Sequence, residues 1–367
     1  MEEQILKTPL YEKHVQNGGK IVPFAGYYLP VQYPAGVIAE HKAVRESVGL
    51  FDVSHMGEVL FQGVDALKNI QNLLCNDFET LQKGRIRYSP MLNSKGGVVD
   101  DVLVYCFEEN EYLMVVNASN RHKDVKHILS QKFGEVTITD LSDGICQLAL
   151  QGPKAEAVLS ALVAKEEIPE KYYSFRRDVD VKGVKCLISR TGYTGEDGFE
   201  LYADAADGEK LFDLLAEAGE PFDLQLCGLG CRDTLRMEAA MPLYGHEMDD
   251  TINPLEAGLG HFVKLSKAAD FIGKSALQAA VEPKRIRIGI KMTGRGIARE
   301  HYPVYAEDVL IGMTTSGTFI PTQDAALAMA LVDAAHRSIG EPLWVEIRGK
   351  KVAAEIVPLP FYSRKKA

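Results

Sequence analysis

Apolar residues fall along this chain in short runs of two periods. Val37 to Val48 is apolar at 37, 38, 44 and 48 and is followed by Gly49, the spacing and stop of a helix. Val59-Leu60-Phe61 reads as a strand, and Asp65 as the cap of a helix through Leu74. A meander follows at Tyr88 to Leu92, Val98 to Tyr105 and Tyr112 to Asn117. It is succeeded by a helix from about Arg121 to Phe133 and a strand from Val136 to Thr139. Residues 145–150 start a fresh strand, which Gln151-Gly152-Pro153 turns into another helix. Val184 to Arg190 and Phe199 to Tyr202 form a hairpin, and Thr234 to Ala240 reads as a helix. From Arg285 onward short strands dominate, which predicts a small C-terminal β-barrel. The pattern is that of an α+β protein with largely antiparallel sheets.

One strand breaks the pattern. Gly96-Gly97-Val98-Val99-Asp100-Asp101-Val102-Leu103-Val104-Tyr105 sets two adjacent carboxylates among β-branched residues. Strand alternation puts Asp100 with Val98, Val102 and Val104, and Asp101 with Val99, Leu103 and Tyr105. A carboxylate among apolar side chains costs several kcal/mol unless it is hydrogen-bonded or protonated, by about the magnitudes in. Structure and chemistry both remain open as the reason for it.

Composition narrows the class. At 367 residues the chain exceeds a usual single core, so two or three domains are expected. The opening Met1-Glu2-Glu3-Gln4 lacks the order of a signal peptide, and Ala325 to Val332 is too short to span a bilayer, so no membrane role is expected. Cysteines at 75, 106, 146, 186, 227 and 231 have no Cys-x-x-Cys spacing, and three interrupt apolar runs. They read as buried free thiols in a cytoplasmic protein without a metal. A net charge of −10 argues against general nucleic-acid binding.

Two further segments carry candidate chemistry. The glycine-rich stretch from Arg190 to Glu200 joins two strands and matches neither a phosphate loop nor a nicotinamide-dinucleotide fingerprint. Its default is a wide hairpin, with Glu200 either on an exposed sheet face or in a site. Gly228-Leu229-Gly230-Cys231-Arg232-Asp233 leads into a helix on which Arg232 and Arg236 lie one turn apart, as solvated arginines or as ligand contacts.

Read together, these segments resemble the T-protein of the glycine cleavage system, the aminomethyltransferase family. The resemblance runs through Lys7-Thr8-Pro9-Leu10, Phe24-Ala25-Gly26, Gly49-Leu50-Phe51-Asp52-Val53-Ser54-His55-Met56-Gly57-Glu58 and the Asp100-Asp101 strand. It continues through Val116-Asn117-Ala118-Ser119-Asn120, Gln151-Gly152-Pro153-Lys154, Ser189 to Glu200, Cys227 to Asp233, Pro242-Leu243-Tyr244-Gly245 and Pro360-Phe361-Tyr362. The order and spacing of the motifs carry the likeness. Tyr27-Tyr28, Cys231 and Met241 depart from the usual family pattern.

The resemblance implies a three-domain, cloverleaf-like folate-binding fold. Residues 1–52 and 143–275 would form a discontinuous first domain, 53–142 a second α+β domain, and 276–367 the barrel. It implies transfer of a one-carbon unit from the aminomethyl-lipoyl arm of H-protein to tetrahydrofolate, releasing ammonia and forming 5,10-methylenetetrahydrofolate, with no metal and no nicotinamide. Asp101 takes the catalytic role and Asp100 a structural one. Glu200 and Arg232 match the family's folate site, with Met56, Tyr88, Tyr105, Asn117 and Tyr193 lining it. Lys83, Arg85, Arg87 and Arg121 are expected to contribute to H-protein docking. A different tetrahydrofolate-dependent transferase on the same scaffold is the nearest alternative. Folate-binding relatives linked to iron–sulfur assembly carry Lys-Gly-Cys-Tyr-x-Gly-Gln-Glu, where this chain reads Arg190-Thr191-Gly192-Tyr193-Thr194-Gly195-Glu196-Asp197.

Overall fold

The computed structural model describes residues 5–364, and Met1–Gln4, on which the reading of the chain's start rests, lie outside the described residues. The chain groups into two compact units, each discontinuous. The first runs up to Asn69 and adds Phe78–Tyr88 and Val102–Asp233; the second takes Ile70–Asp77, Ser89–Asp101 and the chain from Thr234 on. The division falls inside the strands Ile86–Leu92 and Val98–Glu108. Among the described residues no helix is long and apolar enough to cross a membrane.

The first unit is organised by a six-stranded sheet ordered Phe175–Asp180, Lys185–Ser189, Gly198–Asp204, Ile145–Gln151, Gly49–Asp52, Gln225–Leu226. Its pairings are antiparallel except that of the last strand with Gly49–Asp52. Alternation gives this sheet two unlike faces. Cys146, Leu148, Leu150, Ile188, Phe199 and Leu201 point into one apolar core with Val158 and Leu159 of the helix Ala155–Ser160 and Leu211 and Leu215 of the helix Gly208–Gly219. Gln147, Ser189, Glu200 and Tyr202 occupy the intervening positions and therefore the other face.

Gly49 does not end the preceding helix. That helix closes at Glu46, and Gly49 opens a strand, packed so tightly that a Cβ would meet Val44 and Cys227. Asp65 stands at the start of the helix Ala66–Leu73 as expected, its carbonyl accepting the Asn69 N–H at 3.1 Å, but its carboxylate takes the Glu135 N–H at 2.8 Å and Lys68 at 2.6 Å instead of a helix N–H.

The expected meander forms consecutive neighbours in a five-stranded sheet, ordered Ile86–Leu92, Val98–Glu108, Glu111–Val116, Gly57–Gln62, Thr137–Asp140. The last two positions are reached from distant parts of the chain.

The second unit contains a closed barrel ordered Arg285–Met292, Ala325–Asp333, Val309–Ile320, Pro303–Ala306, Pro342–Ile347, Lys350–Val357. Its first strand begins where the strand-rich pattern begins in the sequence. Ala328, Ala330 and Val332 face the barrel interior with Ile288, Ile290, Val345 and Ile356. The alternate residues Leu327 and Met329 pack outside it against Met237 and Ala240. Both faces of Ala325–Asp333 are thus buried, which explains its continuous apolar run.

Lys267 anchors another part of this unit. Its Nζ donates to the carbonyls of Gln71, Leu74 and Asn76 at 2.7, 2.8 and 3.0 Å and to Gln71 Oε1 at 3.0 Å. These carbonyls lie at the end of the helix Ala66–Leu73, where unpaired acceptors and the negative pole of the helix both suit a cation. Lys267→Met keeps the apolar stem and strands the carbonyls, and is expected to cost about 2–4 kcal/mol of stability. Urea unfolding measures this directly; a parental midpoint would show that Lys267 is dispensable there.

Candidate functional site

The polar face of the six-stranded sheet carries a buried carboxylate, Glu200. Glu200 lies in an interior strand, opposite Ala149 on one side and Ser189 on the other. It is 7% exposed, so the exposed-hairpin alternative does not hold. Burial raises its pKa above the usual carboxylate range, while the hydrogen bond from Thr191 and the charge of Arg232 act against that rise. Thr191 Oγ1 donates to Glu200 Oε2 at 2.5 Å.

The loop before this strand is pinned rather than open. Arg190 pairs with Asp197, and Arg45 Nη1 reaches the Thr194 carbonyl at 2.7 Å and Glu196 at 3.0 Å. Gly192 passes so close to Gln151 that a Cβ would lie 1.9 Å from its Oε1. The glycine content therefore serves close packing around Gln151.

Arg232 comes from the first turn of the helix Leu229–Glu238, which starts earlier than the pattern predicts. Its guanidinium sits 4.9 Å from the centre of the Tyr193 ring. Burial lowers its pKa, and Glu200 and Tyr193 oppose that. No side chain among the described residues accepts a hydrogen bond from it. A partly buried guanidinium with no hydrogen-bonded acceptor is well suited to an anionic or carbonyl-bearing ligand.

Burial disfavours the charged form of two neighbours. His55, near Arg232 and Asp52, has its pKa pushed down to about 4 by burial, and its Nδ1 has no partner among the described residues. Glu58 has its pKa held well above the carboxylate range by burial, with Arg121 acting in the opposite sense. The neighbouring buried acid Asp52 behaves differently: burial alone would raise its pKa, but His14 at 2.8 Å and Ser54 outweigh it. Tyr33 completes that chain, 2.8 Å from His14 Nδ1.

The remaining sequence-identified residues divide as follows. Tyr105 is wholly buried, with its ring against Phe175 and Tyr202 and its hydroxyl 2.8 Å from that of Tyr202 and 3.2 Å from Ser189. Met56 is half-buried and packs on the same cluster. Tyr88 and Asn117, also half-buried, belong to the first unit, in Ile86–Leu92 and just beyond Glu111–Val116. Asp101 belongs to the second unit, is half-buried, and follows Asp100, which is 0% exposed. Alternation separates the two carboxylates as expected.

Some expectations need correction. Arg121 is not a docking charge: it is buried and holds Asp140 at 3.0 Å and Asp143 at 2.8 Å. Arg236 is not solvated: it is buried against Glu247 and Ser316, at 2.8 Å each. Cys231 groups with Cys227 and Glu40, donor atoms within 4.8 Å of one another. Both Glu40 oxygens already accept backbone N–H groups, from Tyr33 at 2.6 Å and Gly228 at 3.0 Å, so the group serves packing. The sequence reading passed over Thr191, Ser189, Tyr202 and Gln147. The signal for Ser189, Tyr202 and Gln147 was a set of polar residues alternating with apolar ones in three strands, with Thr191 two residues past Ser189.

Comparison with known proteins places these features. Residues 10–267 match the model of the GCVT N-terminal domain, and residues 285–363 that of the glycine cleavage T-protein C-terminal barrel domain. Proteins described as aminomethyltransferases from Bacillus cereus (strain B4264) and Bacillus anthracis are each 46% identical over 363 residues, covering 98% of this chain and 99% of theirs. The crystal structure of glycine cleavage system aminomethyltransferase T from Bartonella henselae superposes with a TM-score of 0.89 at 34% identity, covering 98% of both chains. With its barrel, its two-faced sheet and its full-length likeness to these proteins, the chain belongs to the glycine cleavage T-protein family of aminomethyltransferases.

Proposed function

We propose that this aminomethyltransferase takes the aminomethyl group from the lipoyl arm of H-protein and passes its carbon to tetrahydrofolate. The products are ammonia and 5,10-methylenetetrahydrofolate. The observation that carries this reading is buried Glu200 lying within the electrostatic reach of Arg232, a cation with no hydrogen-bonded acceptor among the described residues. A buried carboxylate is suited to the paired N–H donors of the pterin's amino-pyrimidine edge, and the guanidinium to a polar or anionic part of the same ligand. Tyr193, Met56, Tyr88 and Asn117 are assigned to the lining. Tyr105, with no exposed surface, is assigned a place behind it. No metal or nicotinamide enters the scheme, and the cytoplasm is the proposed compartment.

The three-domain division also stands as a proposal, supported by sheet membership. Every strand of the six-stranded sheet falls in 1–52 or 143–275, every strand of the five-stranded sheet in 53–142, and every barrel strand in 276–367.

Asp101 is assigned the chemistry. A folate nitrogen must attack an electrophilic methylene as ammonia leaves, and a fixed carboxylate steadies the positive charge and accepts or positions the nitrogen's proton. Asp100, with no exposed surface, is assigned to structure.

Glu200→Gln and Arg232→Ala are each expected to weaken tetrahydrofolate binding by about ten- to a hundred-fold, the scale of one charge-assisted hydrogen bond. Anaerobic calorimetry on folded variants reads this, and parental affinity in either would remove that residue from the site.

Asp101→Asn is expected to lower turnover about ten- to a thousand-fold with folate still bound. Asp100→Asn should instead cost about 1–3 kcal/mol of stability and leave most turnover. Turnover with lipoylated H-protein, alongside melting temperature, separates the two. Loss of turnover in Asp100→Asn alone would put the catalyst on the other face of the strand.

A further inference from the structure

A line of side chains in the first unit ends at Glu200. Gln147 Nε2 lies 3.0 Å from Tyr202 Oη, which is 2.8 Å from Tyr105 Oη. Tyr105 Oη is 3.2 Å from Ser189 Oγ, Ser189 Oγ 2.7 Å from Thr191 Oγ1, and Thr191 Oγ1 2.5 Å from Glu200 Oε2. All are buried.

The line has a direction. A carboxylate only accepts, and each hydroxyl has one proton to give. Thr191 donates to Glu200 and so accepts from Ser189. Ser189 has a second acceptor, the Glu200 carbonyl, but at 3.4 Å it is the poorer one. Ser189 accepts from Tyr105, Tyr105 from Tyr202, and Tyr202 from the amide of Gln147, whose nitrogen only donates. The two ends require the same order. A protonated Glu200 donating to Thr191 would leave Ser189 either the longer bond to the Glu200 carbonyl or a reversal of the remaining row, which would drive the Tyr202 proton against the Gln147 amide nitrogen unless that amide turned over.

We propose that Thr191, backed by Ser189, Tyr105, Tyr202 and Gln147, is a positioning residue that fixes Glu200 as an oriented acceptor for a ligand bearing paired N–H donors. This rests on the reading that Glu200 holds the amino-pyrimidine edge of tetrahydrofolate. Thr191 occupies Oε2 from within the protein, so the carboxylate is held against rotation before the ligand arrives. Hydrogen bonds in such a row polarise one another, each strengthening the next toward the carboxylate.

The electrostatic surroundings give the test its readout. Arg232, from its helix, is the group whose charge acts on Glu200, and the charge of Glu200 in turn raises the pKa of Glu58 from Gly57–Gln62, Tyr105 from Val98–Glu108 and Tyr202 from its own strand. Burial raises the pKa of Glu200, and Thr191 and Arg232 lower it. The ionised form binds the donor pair, so binding falls as pH drops through the pKa of Glu200. Loss of the Thr191 hydroxyl raises that pKa and moves the fall to higher pH.

Tetrahydrofolate affinity is measured against pH for the whole chain, anaerobically, in Thr191→Val, Thr191→Ser, Tyr105→Phe, Glu200→Gln and the Thr191→Val/Glu200→Gln pair. Thr191→Val is expected to bind about ten- to a hundred-fold more weakly, with its acid limb displaced upward and KM raised more than kcat is lowered. Thr191→Ser should restore both properties, and Tyr105→Phe should give a smaller displacement in the same direction. In the Glu200→Gln background Thr191→Val should shift no acid limb. If Glu200→Gln weakens binding while Thr191→Val and Tyr105→Phe keep the parental affinity and pH profile, the relay is refuted and the Glu200 site stands. Parental binding by Glu200→Gln would overturn the site itself. If Thr191→Val fails to fold, Thr191→Ser and Tyr105→Phe decide: a parental pH profile in Tyr105→Phe refutes the relay.

Discussion

A carboxylate in the interior of a sheet is the constraint around which the first unit is arranged. Glu200 sits between two neighbouring strands with almost no surface, where an unsupported charge costs several kcal/mol, by about the scale in. Thr191 supplies a donor at 2.5 Å and Arg232 an opposing charge. Neither alone satisfies a carboxylate with two oxygens and about four acceptor sites. The acceptor capacity left over is what a ligand with paired donors would fill.

The same unit removes competing charge. Burial keeps His55 neutral, with its pKa near 4, and pushes the pKa of Glu58 well above the usual carboxylate range. Arg121 is held by Asp140 and Asp143, and Asp52 by His14 and Ser54. Glu200 is supported by Thr191 and by the charge of Arg232. A ligand meeting this face therefore encounters one acceptor and one cation, a polarity that fixes its orientation as well as its affinity.

Much of the architecture was legible because it is local. Runs of period two marked the meander, the restart near residue 145 and the barrel from Arg285, and each appears as a strand. Alternation alone separated fully buried Asp100 from half-buried Asp101. What escaped depends on pairing across distance. Tyr105 meets Ser189 and Tyr202 across 84 and 97 residues, and Arg236 meets Ser316 across 80. Periodicity places a side chain on a face; it does not say what covers that face. Arg121 and Arg236 looked solvated for this reason, and Gly49 looked like a helix stop because its close neighbour Cys227 is remote in sequence.

The start of the aspartate strand shows what a glycine pair achieves beyond a turn. Gly96 takes the left-handed conformation at φ 85°, while a Cβ on Gly97 would lie 1.8 Å from the Asp250 carbonyl oxygen. Asn93 closes the turn, accepting from Gly97 N–H at 3.1 Å and donating to the Asp250 carbonyl at 2.9 Å. Val98 N–H then reaches the Asp249 carbonyl at 2.9 Å. All of these residues belong to the second unit, as does Asp101. A strand fastened by its backbone three residues before Asp101 leaves that carboxylate little freedom except rotation of its own side chain. Electrostatic catalysis works through charge held in place before the reaction begins. For the role proposed for Asp101 the glycines provide that hold, since any side chain at Gly97 would drive the Asp250 backbone away and release the anchor.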